Sequence, residues 1–136
     1  MTLVVDGSFA VAIYLPDETS PDFDDVILRI AEAGAVAPVH WRAEVANALN
    51  MAVRRSRIER SGREKILEKL VQLGIEIDPE TNDHIWGTTL RLADLYGLTV
   101  YDAAYLELAQ RLRVPLATLD TALAAAARKA GVEVLP

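Results

Sequence analysis

The chain has 136 residues, 51% of them apolar, enough for one ordinary domain with a buried core. Fourteen Lys and Arg against twenty Asp and Glu leave a net charge of −6. That balance argues against nucleic-acid binding through bulk positive charge and against attachment to an anionic membrane; the lack of cysteine excludes disulfides, thiolate catalysis and cysteine-bound zinc or iron–sulfur centres.

Met1–Asp6 lacks the basic start of a signal peptide, and the apolar run Leu3–Tyr14 is too short to span a bilayer and carries Asp6. A soluble, cytoplasmic protein is expected. Leu3–Val5 reads as a first strand, and Pro16–Pro21 as a loop rich in breakers. Phe23, Val26, Ile27, Ile30 and Ala31 form a helical stripe that ends at Gly34, before the extended Val36–Ala37. A helix over Trp41–Arg54 follows, then a second stripe of Ile66, Leu67, Leu70 and Val71. Gly74 closes that helix and precedes the strand candidate Ile75–Ile77. Ile85, Thr89, Leu92, Ala93 and Tyr96 make a third stripe, closed by Gly97 before the extended Leu98–Val100, a run too short to guarantee a place in a sheet. Ala103–Leu112 is apolar nearly all round, the mark of a buried helix. Leu116–Thr118 opens after Pro115 as a strand, Thr121–Ala130 is an alanine-rich helix, and Val132–Val134 is the last strand candidate. Short apolar strands separated by helices specify a covered parallel sheet and an α/β fold.

In such sheets ligands bind beyond the carboxyl ends of the strands. Asp6 directly follows the first strand, Asp120 closely follows Leu116–Thr118, and Asp102 stands between extended Leu98–Val100 and the buried helix. Asp is also a favoured helix N-cap, so each junction alone has a purely structural explanation. Capping and chemistry are compatible, because a helix N-terminus favours an ionised carboxylate. Glu44 is the fourth acid, on or beside an apolar helix face where a charge needs compensation; an arginine partner is the alternative to a functional role.

Asp6-x-Ser8, Glu44-x-x-Asn47-Ala48-Leu49, Tyr101-Asp102-Ala103-Ala104-Tyr105 and Thr118-x-Asp120 stand in the order and rough spacing of the PIN-domain nucleases. The chain resembles their VapC-type toxin branch, from prokaryotic toxin–antitoxin pairs, from Leu3 to Leu135. Gly7 and the Trp41-Arg42 pair are less typical neighbours of these motifs. The resemblance implies one PIN-like domain over residues 1–136, a three-layer α/β/α arrangement with a short parallel sheet of about five strands, and acids converging at one end. It further implies Mg²⁺ or Mn²⁺ as cofactor, hydrolysis of RNA phosphodiester bonds, inhibition by a cognate antitoxin, and a homodimer.

The chemistry accounts for the residue types. Two like charges ~4 Å apart repel by ~4 kcal/mol at an effective dielectric of ~20. A carboxylate cluster must therefore protonate, recruit arginines or bind metal, and all-oxygen donors select hard cations. Asp6 and Asp102 are expected as principal ligands, with Glu44 and Asp120 completing the shell directly or through water. Ser8, Asn47 and Thr118 would hold carboxylates or waters by hydrogen bond, with local capping the equal alternative. His40 and His84 lie at no ligand spacing from an acid and read as structural or surface residues, and the tryptophans and tyrosines as core or interface.

Six of the fourteen basic residues fall within twelve positions, Arg54, Arg55, Arg57, Arg60, Arg63 and Lys65. This cluster, Arg54, Arg55, Arg57 and Arg60 above all, could grip an RNA backbone; the alternative is a solvated junction laced with Glu59 and Glu64. Competing functions are a PIN nuclease that processes RNA without being a toxin, a non-cleaving PIN-like binding module, and a haloacid-dehalogenase-like phosphotransferase. The last wants an acid two residues after the first Asp, where Ser8 stands. A receiver-type domain needs a lysine after a late strand, and none is found.

Overall fold

The computed structural model describes residues 2–18 and 20–136, and in it five short strands form one parallel sheet in the order β3-β2-β1-β4-β5. They are β1 (Leu3–Val5), β2 (Ala35–Ala37), β3 (Glu76–Ile77), β4 (Leu116–Ala117) and β5 (Val134–Leu135). Val4 is the hinge of the register, opposite Val36 on one side and Leu116 on the other. The chain builds outward from β1 through β2 to β3, then returns to the other flank of β1 for β4 and β5. The switch point of the topology thus lies between β1 and β4, and every strand ends on the same edge.

Helices cover both faces, as expected for a three-layer α/β/α fold: α1 (Gly7–Ala12), α2 (Pro21–Ala33), α3 (Trp41–Arg54), α4 (Arg60–Leu73), α5 (Thr81–His84), α6 (Leu90–Tyr96), α7 (Val100–Leu112) and α8 (Thr121–Lys129). Leu3, Val4 and Val5 are buried as an uninterrupted run because both sides of the sheet are covered. Phe9 of α1 meets Phe23 of α2 edge-to-face at 5.3 Å, and α7 is buried almost all round, as its composition requires. Among the described residues no helix is long and apolar enough to cross a membrane.

Local sequence explains most ends. Ser20 caps α2 with Pro21 in its first turn, and Gly74 ends α4 at φ +70°. The end of α7 departs from this rule: Arg113 takes the left-handed conformation at φ +57° without being glycine.

Leu98–Val100, too short to guarantee a strand, joins no sheet, because Leu98 N–H returns to the Ala93 carbonyl and Thr99 becomes the cap of α7. Three expectations need revision. The last strand lies at Val134–Leu135 rather than Val132–Val134, since Val132 N–H still bonds the Ala127 carbonyl at the exit of α8. The stripe from Ile85 to Tyr96 is not one regular helix, for a π-helical turn over Ile85–Thr89 carries Gly87 at non-helical angles. Val71, assigned to an apolar stripe, is 79% exposed.

Candidate active site

The switch point delivers the first acid. Asp6 follows β1, is 4% exposed, and caps α1. Its Oδ1 accepts from the Phe9 amide and from the Ser8 hydroxyl, both at 2.8 Å, and its Oδ2 accepts from the Thr118 hydroxyl at the end of β4. Thr118 Oγ1 in turn accepts from the Asp120 amide at 3.0 Å, so one hydroxyl ties the two strand ends together. Burial pushes the Asp6 carboxyl above its ordinary value, the Asp102 charge adds to the rise, and the Thr118, Phe9 and Ser8 donors oppose it.

Glu44 arrives from the first turn of α3, half-buried. Its Oε2 accepts from Tyr105 Oη at 2.8 Å, and its Oε1 lies 3.4 Å from His40 Nε2. Burial raises its carboxyl too, with the charges of Asp102 and Asp6 acting the same way and the Tyr105 hydroxyl opposing. Gly7 makes this position accessible: a Cβ there would stand 3.0 Å from Glu44 Oε2 and 3.1 Å from Glu44 Cβ. Tyr105, 1% exposed, is held protonated by burial and by the neighbouring Glu44 charge, and so remains a donor.

Asp102 sits in the first turn of α7, where Thr99 and not Asp102 is the cap. Its carboxyl is raised by burial and then by the Asp120 charge, with Thr99 and His40 opposing. Asp120 caps α8 through the Leu123 amide at 2.9 Å. The four acids therefore lie within one another's fields at the carboxyl edge of the sheet. Among the described residues none of them pairs with a Lys or Arg.

Among the described residues no group of three His, Asp or Glu side chains is drawn tightly enough to hold a metal directly. That geometry still suits Mg²⁺, which keeps several of its waters and is commonly held through one or two carboxylates. The donor set fits as well: all oxygen, partly desolvated, mutually repelling and, among the described residues, without a Lys or Arg partner. Such a cup gains by taking a hard divalent ion.

Other expected residues fall elsewhere. Asn47 is exposed and lines a groove with Asn50, Arg63 and Glu64, bonded to none of the four acids. Three residues advance a helix by ~300°, so Asn47 stands roughly 60° round α3 from Glu44, toward α4. Arg54 and Arg55 are exposed at the far end of α3, ~15 Å along the helix from Glu44. Arg60 is exposed at the start of α4. Arg57 is not free: it makes a two-pronged pair with Asp17, at 3.0 and 3.1 Å. His40, read as lying away from any acid, is beside Glu44, and burial lowers its pKa. The i,i+4 spacing of His40 and Glu44 was the available signal. Tyr105 carried no such signal, because a tyrosine in an apolar helix reads as core.

A family profile described as "PIN domain" matches residues 3–129, a span that contains all four acids. The chain belongs to the PIN-domain family. This PIN domain is 32% identical over 124 residues to Ribonuclease VapC3 of Pyrobaculum aerophilum, covering 91% of this chain and 93% of that protein. Two crystal structures share its fold. PAE2754 from P. aerophilum superposes with a TM-score of 0.71 at 24% identity, over 98% of this chain and 83% of the other. FitAcB from Neisseria gonorrhoeae superposes with a TM-score of 0.56 at 16% identity, over 98% and 96%. Membership of the PIN family removes the haloacid-dehalogenase-like and receiver readings.

Proposed function

We propose that this PIN domain is a divalent-metal-dependent endoribonuclease, the toxin of a toxin–antitoxin pair, held inactive by a cognate antitoxin protein and assembling as a homodimer. The observation that carries the enzymatic part is electrostatic: Asp6, Glu44 and Asp102 are each raised by burial and by the charge of a neighbouring acid, and no Lys or Arg among the described residues relieves them. Likeness to a ribonuclease of the VapC type supports RNA as substrate and an antitoxin as partner.

In this reading Asp6 and Asp102 hold the ion, and Glu44 and Asp120 contribute directly or through water. When bound, Mg²⁺ or Mn²⁺ supplies a Lewis acid that activates water and offsets charge on the phosphodiester. Ser8 and Thr118 fix both oxygens of Asp6, so the carboxylate does not turn when the ion arrives. The exposed Arg54, Arg55 and Arg60 would hold RNA backbone remote from the cut.

The test is cleavage of defined tRNA and rRNA fragments in Mg²⁺, Mn²⁺ or EDTA, by wild type and Asp6→Asn. Cleavage by wild type alone, abolished by EDTA, is the expected result. Cleavage that survives EDTA, or an Asp6→Asn protein with undiminished activity, would overturn it.

A further inference from the structure

The position of Glu44 is fixed by contacts from α7, from α1 and from the His40 cap of its own helix. Tyr105, on α7 one turn after Asp102, reaches across to α3 and donates to Oε2 at 2.8 Å. Gly7, the first residue of α1, leaves the space that the Glu44 side chain occupies. The His40 ring approaches Oε1 at 3.4 Å, and it is itself held by the Tyr101 carbonyl at 3.1 Å and by edge-on packing against Tyr101 and Tyr105. A glutamate on a helix surface normally samples several rotamers, and fixing them costs conformational entropy. Here that cost is met on folding, before any ligand binds.

We infer that Tyr105 and Gly7 are positioning residues that preset the Glu44 carboxylate for a divalent ion, Tyr105 by its hydroxyl and Gly7 by its missing Cβ. The inference rests on the proposed metal-dependent function and adds to it the device that orders one of the ligands. Tyr105 touches neither ion nor substrate; it acts through Glu44. Because it also stands one turn along α7 from Asp102, its bond to Glu44 ties the spacing of α3 to that of α7. A phenylalanine would fill the same volume and keep the core packing while removing the one donor. An alanine at position 7 would press on the same carboxylate oxygen by volume rather than by removing a donor, with the Tyr105 side chain unaltered.

The experiment uses the full chain and two readouts. In metal-free protein, side-chain NMR of Glu44 reports its rotamer; in the same samples, calorimetry measures the dissociation constant of Mn²⁺ without RNA. Wild type should show one Glu44 rotamer, and Tyr105→Phe and Gly7→Ala should each show averaging or a second rotamer. Both variants should bind Mn²⁺ about tenfold more weakly, the lower end of the effect of losing an outer-shell partner. Unfolding temperature is followed alongside, because a merely structural tyrosine would change it and leave Mn²⁺ affinity alone. A single unchanged rotamer in both variants overturns the inference. Failure of the underlying reading looks different: Glu44→Gln would then bind Mn²⁺ as wild type does. If Tyr105→Phe does not fold, Gly7→Ala carries the same two outcomes.

Discussion

Replacing Arg111 by Met removes the guanidinium that holds two buried acids. Nη2 lies 2.6 Å from Asp78 Oδ2 and Nε 2.8 Å from Glu107 Oε1, with further contacts at 3.2 and 3.3 Å. Asp78 is 5% exposed and Glu107 4%. Among the described residues no other Lys or Arg pairs with either; Glu107 has only His84, at 3.7 Å. The added contact to exposed Glu80, at 3.5 Å, is worth little. Breaking a buried pair by removing one partner costs about 3–5 kcal/mol, because charge is left without compensation. At about 3 °C per kcal/mol for a domain of this size, Arg111→Met should unfold roughly 10–15 °C below wild type. Although burial alone would raise it, Asp78 is held below the ordinary carboxylate value by Arg111, the Glu80 amide and the Thr81 hydroxyl. A depressed acid stabilises the fold above its unfolded value and loses that contribution as pH falls through the folded one, so in wild type this share disappears below about pH 4. In Arg111→Met the sign reverses, since protonation relieves the orphaned Asp78, and the gap from wild type should narrow on acidification. Thermal and urea unfolding from about pH 2 to pH 8 measures both effects. Adding Asp78→Asn and Glu107→Gln to the same chain should return more than half of the loss. A loss below about 1 kcal/mol, or one that neutralising the acids does not recover, would refute this account of the network.

The site acids predict an opposite pH dependence. Asp6, Glu44 and Asp102 are raised, so the metal-free fold should lose stability as pH rises through their elevated values; Mg²⁺ should stabilise the protein more at pH 8 than at pH 5, and an equal shift in unfolding temperature at both would contradict the reading. Neutralising Arg54, Arg55 and Arg60 together should flatten the salt dependence of RNA binding by a log–log slope of about 2, at ~0.7 per lost phosphate contact on single-stranded RNA. Fluorescence anisotropy across a salt series checks this, and an unchanged slope would assign those arginines to solvent alone.

What was legible in the sequence is what short-range patterns encode. Glycine after a helical stripe marks the entries to β2 and β3, and the covered parallel sheet follows from apolar runs too short and too unbroken for anything else. Asp6 and Asp120 could be placed at the carboxyl edge because each lies within three residues of a strand end. What was not legible depends on partners distant in sequence. Tyr105 and Glu44 are 61 positions apart, and Arg111 and Asp78 are 33 apart; helical periodicity is silent on both pairs. Asn47 makes no bond to the four acids, since residues three apart share a helix face only approximately and the ~60° between them turns its side chain toward α4.

The sheet order has a consequence for synthesis. Asp6 emerges early from the ribosome, but the strand that flanks it, the Thr118 hydroxyl that fixes its outer oxygen, and Asp120 come from the final sixth of the chain. Pairing across so long a stretch is slow and needs both partners free of the translation machinery. A nascent chain, or one cut short before β4, therefore carries an unfinished centre. Whatever chemistry the four acids perform is therefore assembled only after β4 and Asp120 have joined the sheet edge that Asp6 occupies from the start.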